Sequence, residues 1–418
     1  MGRRPAPAAS TLRPSRSRGC SRIRSSPPSS WARGGPSTSS RPGARSTFTS
    51  RSGSARSSPA SSIRSLRSVI VAHLDLDAFF AAVEELEAPE LRHTPLIVGG
   101  DPHGRGVVAT ANYVARRFGI HSAMSAAEAL RRCPNAVFLR PRHHLYREYS
   151  RAVWATVRGV VPTVERTGLD EGYLDVGEVA DGFLEARAIA EAVQAAVRAA
   201  TELSCSLGVA SSKVVAKVAS DRRKPGGLTV VPAGREREFL APFDVRLLPG
   251  VGPRSEERLR TAGVETIGAL AGLPEADLRR LLPGKLGPLL RDRARGIDPR
   301  GLELSSERVS YSHEETFAQD VSDRERLHAE LRSMAERLGE LLRGDGKCAR
   351  TVTTKLRYGD FSIRSRSTTL GAGIDDAATI GELACALLDR ALRDRPGALR
   401  LVGVGVSSLE PFRQLTLV

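Results

Sequence analysis

Between Ser68 and Val69 the chain changes character, and that break decides where a core can begin. Residues 1–68 are Ser, Arg, Pro and Gly with few large apolar side chains, too little burial to offset the entropy of ordering. This tail is expected to be disordered. It carries fourteen arginines and neither lysine nor acid, so it accounts for all but two of the net charge of +16. An arginine-rich arm, a transit peptide and a dispensable extension all fit that composition. The absence of an amphipathic period favours the extension. Whole-chain basicity therefore says little about what the folded part binds.

From Val69 the sequence reads SVIVAHLDLDAFF, an apolar strand that ends in acid and then in aromatics. Alternation places Val69, Val71, His73, Asp75 and Asp77 on one face. Carboxylates are costly beside a core unless a cation meets them, so the pattern points to a bound metal or a dedicated base. Pro95–Gly100 and Gly106–Tyr113 read as short strands, and VARRFGI, AAEALRRC and HLYREYSRAVWATVRGVV as helices. A long Ala-rich helix, the strand CSLGVA and the helix SSKVVAKVASDRR follow. Past Pro232 the pattern is short and helical. After the stretch DPRGLELSSERVS comes a long amphipathic helix, then one alternating strand over ARTVTTKLRYGDFSIRSRSTTL, another helix and the strand LRLVGVGV. The mixture fits a multidomain α+β chain rather than a doubly wound dinucleotide fold.

Five scattered cysteines, Cys20, Cys133, Cys205, Cys348 and Cys385, form no CxxC pair, which argues against zinc and for a reducing compartment. No apolar run of membrane-spanning length and no signal-peptide pattern is present, so a cytoplasmic protein is expected.

A second acidic site, Asp170 and Glu171, lies in RTGLDEGYLDV. Neighbours in a regular strand face opposite ways, so both serve one site only where the backbone turns, and Gly168 and Gly172 are expected to permit that turn. Carboxylates from two distant segments would then converge, as a pair of Mg²⁺ ions requires for in-line phosphoryl transfer.

LDLDAFFAAVE, VVATANYVARRFGI, LDEGYLDV, LGVASSKVVAKVASDRRKPGG and LPGVG occur in an order and spacing that resembles the Y-family (translesion) DNA polymerases, in the DinB or DNA polymerase IV branch. The similarity spans residues 69–412. It implies a right-hand polymerase: a ferredoxin-like palm (69–78 and 143–231), small fingers (79–142), a helix-hairpin-helix thumb (232–299), a linker (300–308) and an α/β little finger (309–418). The implied activity is template-directed, low-fidelity addition of dNMPs to a primer 3′-hydroxyl, with release of pyrophosphate and two Mg²⁺ per site.

By the same resemblance Asp75, Asp170 and Glu171 are the catalytic, metal-binding carboxylates and the Leu76 carbonyl completes one metal site. Asp77 matches the motif without being a ligand in the family. Phe80 matches the steric gate, a ring under the incoming sugar that leaves no room for a 2′-hydroxyl. Phe79, beside it at the nucleotide, is expected to pack into the palm. Tyr113, Arg116 and Lys224 match the residues that grip the β- and γ-phosphates. The family usually has Asn where this chain has Gly226, and Ser-Ile where it has Gly168 and Leu169.

DNA contacts are expected from Gly250 and Gly252 of LPGVG, where backbone N–H groups meet phosphate at a helix start. Between Arg343 and Arg366 lie seven basic and two acidic residues. Lys355 with Arg357, and Arg364 with Arg366, share strand faces and are assigned to the DNA backbone over the alternative of edge protection. The end, Gln414–Val418, resembles a sliding-clamp peptide with Val418 in place of the aromatic; an apolar end packing on its own domain is the other reading. Expected partners are primer-template DNA and dNTPs, on a nucleoid-associated monomer. A non-catalytic DNA-binding adaptor has no use for the three carboxylates, and a nucleotide cyclase has none for the thumb and basic final domain.

Overall fold

The computed structural model describes residues 69–304 and 307–412. The tail at 1–68, Cys20 and the peptide Gln414–Val418 lie outside the described residues.

The first sheet has five strands, in the order Val164–Arg166, Glu171–Asp175, Val71–Leu76, Cys205–Ala210, Leu228–Val230. All pairs are antiparallel except the last, Cys205–Ala210 with Leu228–Val230. The alternation of Val71–Leu76 divides the layers. Ala72, Leu74 and Leu76 join Tyr146, Val153, Trp154 and Val157 of the helix His143–Val160, and Ala186, Ala190 and Val193 of Phe183–Thr201, in one core. His73 and Asp75 point the other way, toward the helix Lys213–Ser220. That helix lies hard against the sheet, since a Cβ on Gly208 would fall 2.1 Å from the Ala216 carbonyl oxygen.

The turn before Glu171 differs from expectation. Neither Gly168 nor Gly172 takes a positive φ. Instead the Glu171 carbonyl closes the turn by accepting from the Thr167 and Gly168 amides at 3.1 Å each. The Leu169 carbonyl, in turn, accepts from Trp154 Nε1 at 3.0 Å and from the Ser150 hydroxyl. Gly172 is required for space: a Cβ there would lie 2.7 Å from the Trp154 ring and 2.5 Å from the Glu165 carbonyl oxygen.

Residues 96–139 form a smaller layer in which Leu96–Gly99 runs antiparallel to Val108–Ala111 and parallel to Val137–Leu139. Period-two geometry again splits one strand between cores. Leu96 and Val98 face the first core, and Ile97 faces a separate cluster with Val108, Ile120 and Ala129. From Glu236 to Ala294 five short α-helices and one 3₁₀ turn enclose Leu240, Leu259, Ile267, Leu278 and Leu290, and Val214, Val215 and Val218 of the preceding helix join them.

The C-terminal layer is a four-stranded antiparallel sheet ordered Ile363–Ile374, Lys347–Tyr358, Leu399–Pro411, Ser310–Val321, with Arg324–Gly344 and Ala377–Asp394 packed on one face. The single strand read over 351–369 is in fact a hairpin. The chain reverses at Gly359–Ser362, where Phe361 takes φ +65° and Asp360 accepts from the Ser362 amide. The stretch read as a linker is also tied down, because the Glu303 amide donates to Glu165 Oε2 at 2.8 Å and Lys213 Nζ to the Gly301 carbonyl at 3.3 Å. Lys213 and Glu165 form a buried ion pair at 2.6 Å.

Gly172→Val should lower stability by about 2 kcal/mol or more through overpacking against Trp154. A thermal melt followed by circular dichroism checks this, and an unchanged melting temperature would remove the packing role.

Candidate active site

The helix that carries the aromatics begins abruptly. Ala78, in the left-handed region at φ +48°, turns the chain from strand into the helix Phe79–Glu87. For a residue with a Cβ this conformation costs about 1–2 kcal/mol. Phe79 is buried at 2 % exposure and Phe80 only partly; their ring centroids are 5.5 Å apart, and both line an open cleft together with Asp75, Leu76, Arg116, Asp170 and Lys224. Phe80 is backed by Tyr146, stacked at 4.1 Å and 13°. The Tyr146 hydroxyl donates to buried Glu84, which also pairs with Arg142. Sequence reading assigned no role to this backing, although Glu84 sits one helical turn after Phe80 on the same face.

The acidic groups are placed by strand register. Asp75 lies directly opposite Glu171 in the antiparallel pair, and the Leu76 amide donates to the Asp170 carbonyl at 2.9 Å. Asp75 and Asp170 share the cleft. Glu171 instead contacts Lys217 Nζ and lies 3.6 Å from His73 Nε2. Among the described residues no three His, Cys, Asp or Glu side chains stand close enough together to hold a metal ion.

Burial raises the carboxyl pKa of Asp75, against the pull of Lys224. Burial likewise raises that of Asp170, with the Glu171 charge adding to it. The Glu171 carboxyl is pushed down to about 2, by the His73 contact and then by Lys217. Burial opposes the charge on Lys224, but Asp75 at 2.8 Å and Asp221 at 2.7 Å outweigh it and hold the ammonium above its usual range. His73, at 0 % exposure, is pushed down by burial. Its Nδ1 contacts Ser220 Oγ at 2.9 Å, and that hydroxyl also contacts the Lys217 carbonyl. Neither His73 nor Lys217 was singled out from sequence. Their positions, on the face of Asp75 and on the helix pressed against it, were the available signal.

Asp75, Asp170 and the Leu76 carbonyl are hard oxygen donors and two of them are desolvated carboxylates, a set that suits Mg²⁺ rather than a thiophilic ion.

Of the three residues matched to phosphate binding, Arg116 and Lys224 face the cleft. Tyr113 does not: it lines an adjoining cavity with Asp77 and Pro225, and its hydroxyl reaches Asp77 Oδ1 at 3.4 Å. The reason is local. Asn112 caps a helix of one turn, Tyr113–Arg116, and the longer Arg116 side chain lies over the Tyr113 ring at 4.8 Å and is left to face the cleft. Asp77, for its part, leaves the strand face predicted for it, because the strand ends at Leu76.

Gly250 takes φ +103°, beside Arg293, which donates to the Pro249 carbonyl; Gly252 is the exposed N-cap of Pro253–Thr261. In the C-terminal sheet, Lys355 and Arg357 lie on the face away from the helices. Arg364 and Arg366 pair across from Leu356 and Thr354 and so lie on the opposite, helix-bearing face. The local basic excess is partly cancelled in space. Lys355 meets Glu314 at 2.8 Å and Arg366 meets Asp394 at 2.6 Å.

The cysteines Cys133, Cys205, Cys348 and Cys385 are free and buried, and no described helix is long and apolar enough to cross a membrane.

Gly226 takes φ +67°, a conformation open to Gly and tolerated by Asn. Gly226→Asn should therefore leave the melting temperature nearly unchanged, whereas Gly226→Val should cost about 2 kcal/mol. Equal melting temperatures for the two variants would contradict this.

Residues 74–221 match the impB/mucB/samB family, residues 308–417 match that family's C-terminal domain, and residues 246–298 match a family described as the DNA polymerase-iota thumb domain. The chain is 41% identical over 348 residues to a DNA polymerase IV of Dehalococcoides mccartyi, covering 83% of this chain and 89% of that one. It is 43% identical over 347 residues to a DNA polymerase IV of Streptomyces coelicolor, covering 82% and 72%. Among solved structures, a Y-family DNA polymerase chimera of Dbh and Dpo4 superposes with a TM-score of 0.74 at 25% identity, over 81% of this chain and 98% of that one. DinB from Sulfolobus solfataricus gives 0.56 over the same shares. The right-hand architecture of palm, fingers, helix-hairpin-helix thumb and little finger is therefore present, and the chain belongs to the Y-family DNA polymerases, in the DinB branch.

Proposed function

We propose that the cleft catalyses template-directed transfer of dNMP units from dNTPs to a primer 3′-hydroxyl, on damaged as well as intact templates. The observation that carries this is the convergence, in one open cleft, of two half-buried carboxylates, an aromatic ring and two cations contributed by distant segments.

Each group has a task in that reaction. Arg116 and Lys224 bind the β- and γ-phosphates, Arg with a planar fork and Lys as a compact charge. Phe80, fixed from behind by Tyr146, lies under the sugar and excludes a 2′-hydroxyl by shape. Asp75, Asp170 and the Leu76 carbonyl, joined by Glu171 once its carboxylate leaves Lys217, would hold two Mg²⁺ ions. When bound, Mg²⁺ lowers the pKa of the attacking hydroxyl and neutralises charge on the transferring phosphate. The primer oxygen bonds to the α-phosphorus, and the bond to the bridging oxygen breaks as pyrophosphate leaves. Lys224, paired with Asp75 and Asp221 in the free chain, would exchange the Asp75 carboxylate for phosphate oxygens.

Primer-template DNA is held by phosphate contacts from Gly250 and Gly252 and, in the little finger, from Lys355 and Arg357 on one face of the sheet and Arg364 and Arg366 on the other. These contacts are insensitive to sequence and weaken with salt. Low fidelity, the domain boundaries set out from the sequence, a monomeric state, a cytoplasmic, nucleoid-associated location and a clamp contact through Gln414–Val418 belong to the same reading.

The test is primer extension with Mg²⁺. Asp170→Ala with Glu171→Ala should reduce the rate by about a thousandfold or more, since several kcal/mol of charge stabilisation is removed, while primer-template binding persists. Unchanged extension would remove the site. Phe80→Ala should reduce the preference for dNTP over rNTP by roughly a hundredfold; continued exclusion of ribonucleotides would reject the gate.

A further inference from the structure

Asp77 stands apart from the carboxylates of the cleft. It is 4 % exposed, and both its oxygens are fully engaged by neutral donors. Oδ1 accepts from Ser206 Oγ at 2.8 Å and from the Tyr113 hydroxyl at 3.4 Å. Oδ2 accepts from Ser204 Oγ at 2.7 Å and from the Gly226 amide at 2.8 Å. Its own amide donates to the Ser204 carbonyl at 3.0 Å. A buried carboxylate held by several donors is well compensated for desolvation and rigidly placed.

Those donors come from three separate pieces of the molecule. Tyr113 belongs to the fingers helix and carries Arg116 against its ring. Ser206 belongs to a palm strand and Ser204 lies just before that strand begins. Gly226 belongs to the loop that bears Lys224, and its left-handed backbone directs the amide at Asp77. One carboxylate thus ties together the segments that carry the two cations facing the cleft, and does not itself line that cleft.

We propose that Asp77 is a positioning residue for nucleotide binding: by joining the Lys224 loop and the Tyr113–Arg116 turn to the palm, it sets the span across which the triphosphate of a dNTP is gripped. This rests on the reading of the cleft as a dNTP site. An Asn in its place keeps the shape but offers one acceptor oxygen instead of two and no charge, so it cannot hold the side of Ser206 and Tyr113 and the side of Ser204 and Gly226 together as the carboxylate does.

Steady-state primer extension by the full chain tests the proposal, with KM for dNTP, kcat and the Kd for primer-template measured separately and folding checked by thermal melt. Asp77→Asn should raise KM for dNTP about tenfold, with kcat and the DNA Kd changed less than about threefold. In a Lys224→Ala background the same substitution should raise KM by no more than about threefold, since the two act through one contact. A folded variant with unchanged KM, or effects of Asp77→Asn and Lys224→Ala that multiply in full, would overturn it. If Asp77→Asn does not fold, Ser204→Ala removes one donor to the same oxygen and is judged by the same criteria, with an unchanged KM again overturning the proposal. Failure of the unmodified chain to extend a primer would instead sink the polymerase reading.

Discussion

The pairing of Val71–Leu76 with Glu171–Asp175 is the constraint on which the rest depends. Its register sets Asp75 opposite Glu171 and gives the Leu76 amide the Asp170 carbonyl, so two segments about a hundred residues apart deliver their acids to one place. A slip of one residue would send Asp75 into the core now filled by Leu74 and Leu76, and would bring the apolar set to the cleft. The bulk of Trp154 beneath Gly172 and the anchoring of the Leu169 carbonyl oppose such a slip.

Assembling acids this way has an electrostatic cost, visible in the raised pKa values of Asp75 and Asp170. The chain offsets it with its own cations. Lys224 sits on Asp75, and Lys217 on Glu171. Both lysines come from the single run Lys213–Lys224, a helix pressed onto the sheet at Gly208 and the loop after it. Under the proposed reaction, a nucleotide and its metal ions arrive as a package that releases these lysines from the carboxylates and gives Lys224 a phosphate partner. The same groups that stabilise the folded chain then become available to the substrate.

Much of this was legible in sequence because it is local. Alternation along SVIVAHLDL, the long amphipathic helices and the blocks from LDLDAFF to LPGVG fixed the element types and the family. What escaped reading was set by tertiary geometry. Gly172 looked like a turn residue, yet it answers to a tryptophan eighteen positions earlier. The Gly359–Asp360 reversal was passed over because apolar alternation runs on through both arms of the hairpin. The basic excess near residue 355 was counted along the chain, whereas Glu314 and Asp394, distant in sequence, meet two of its members. Tyr113 matched the phosphate-gripping motif, and nothing along the chain announced that its hydroxyl would also meet Asp77.

The central claim is that Asp75, Asp170 and Glu171 share divalent cations when substrate is bound. Its most direct measurement is electron paramagnetic resonance of Mn²⁺ titrated into the full chain with primer-template and a non-hydrolysable dNTP, compared with Asp75→Asn, Asp170→Asn and Glu171→Gln. Each substitution is predicted to weaken Mn²⁺ binding by about tenfold or more. Mn²⁺ affinity unaltered by all three would contradict the account.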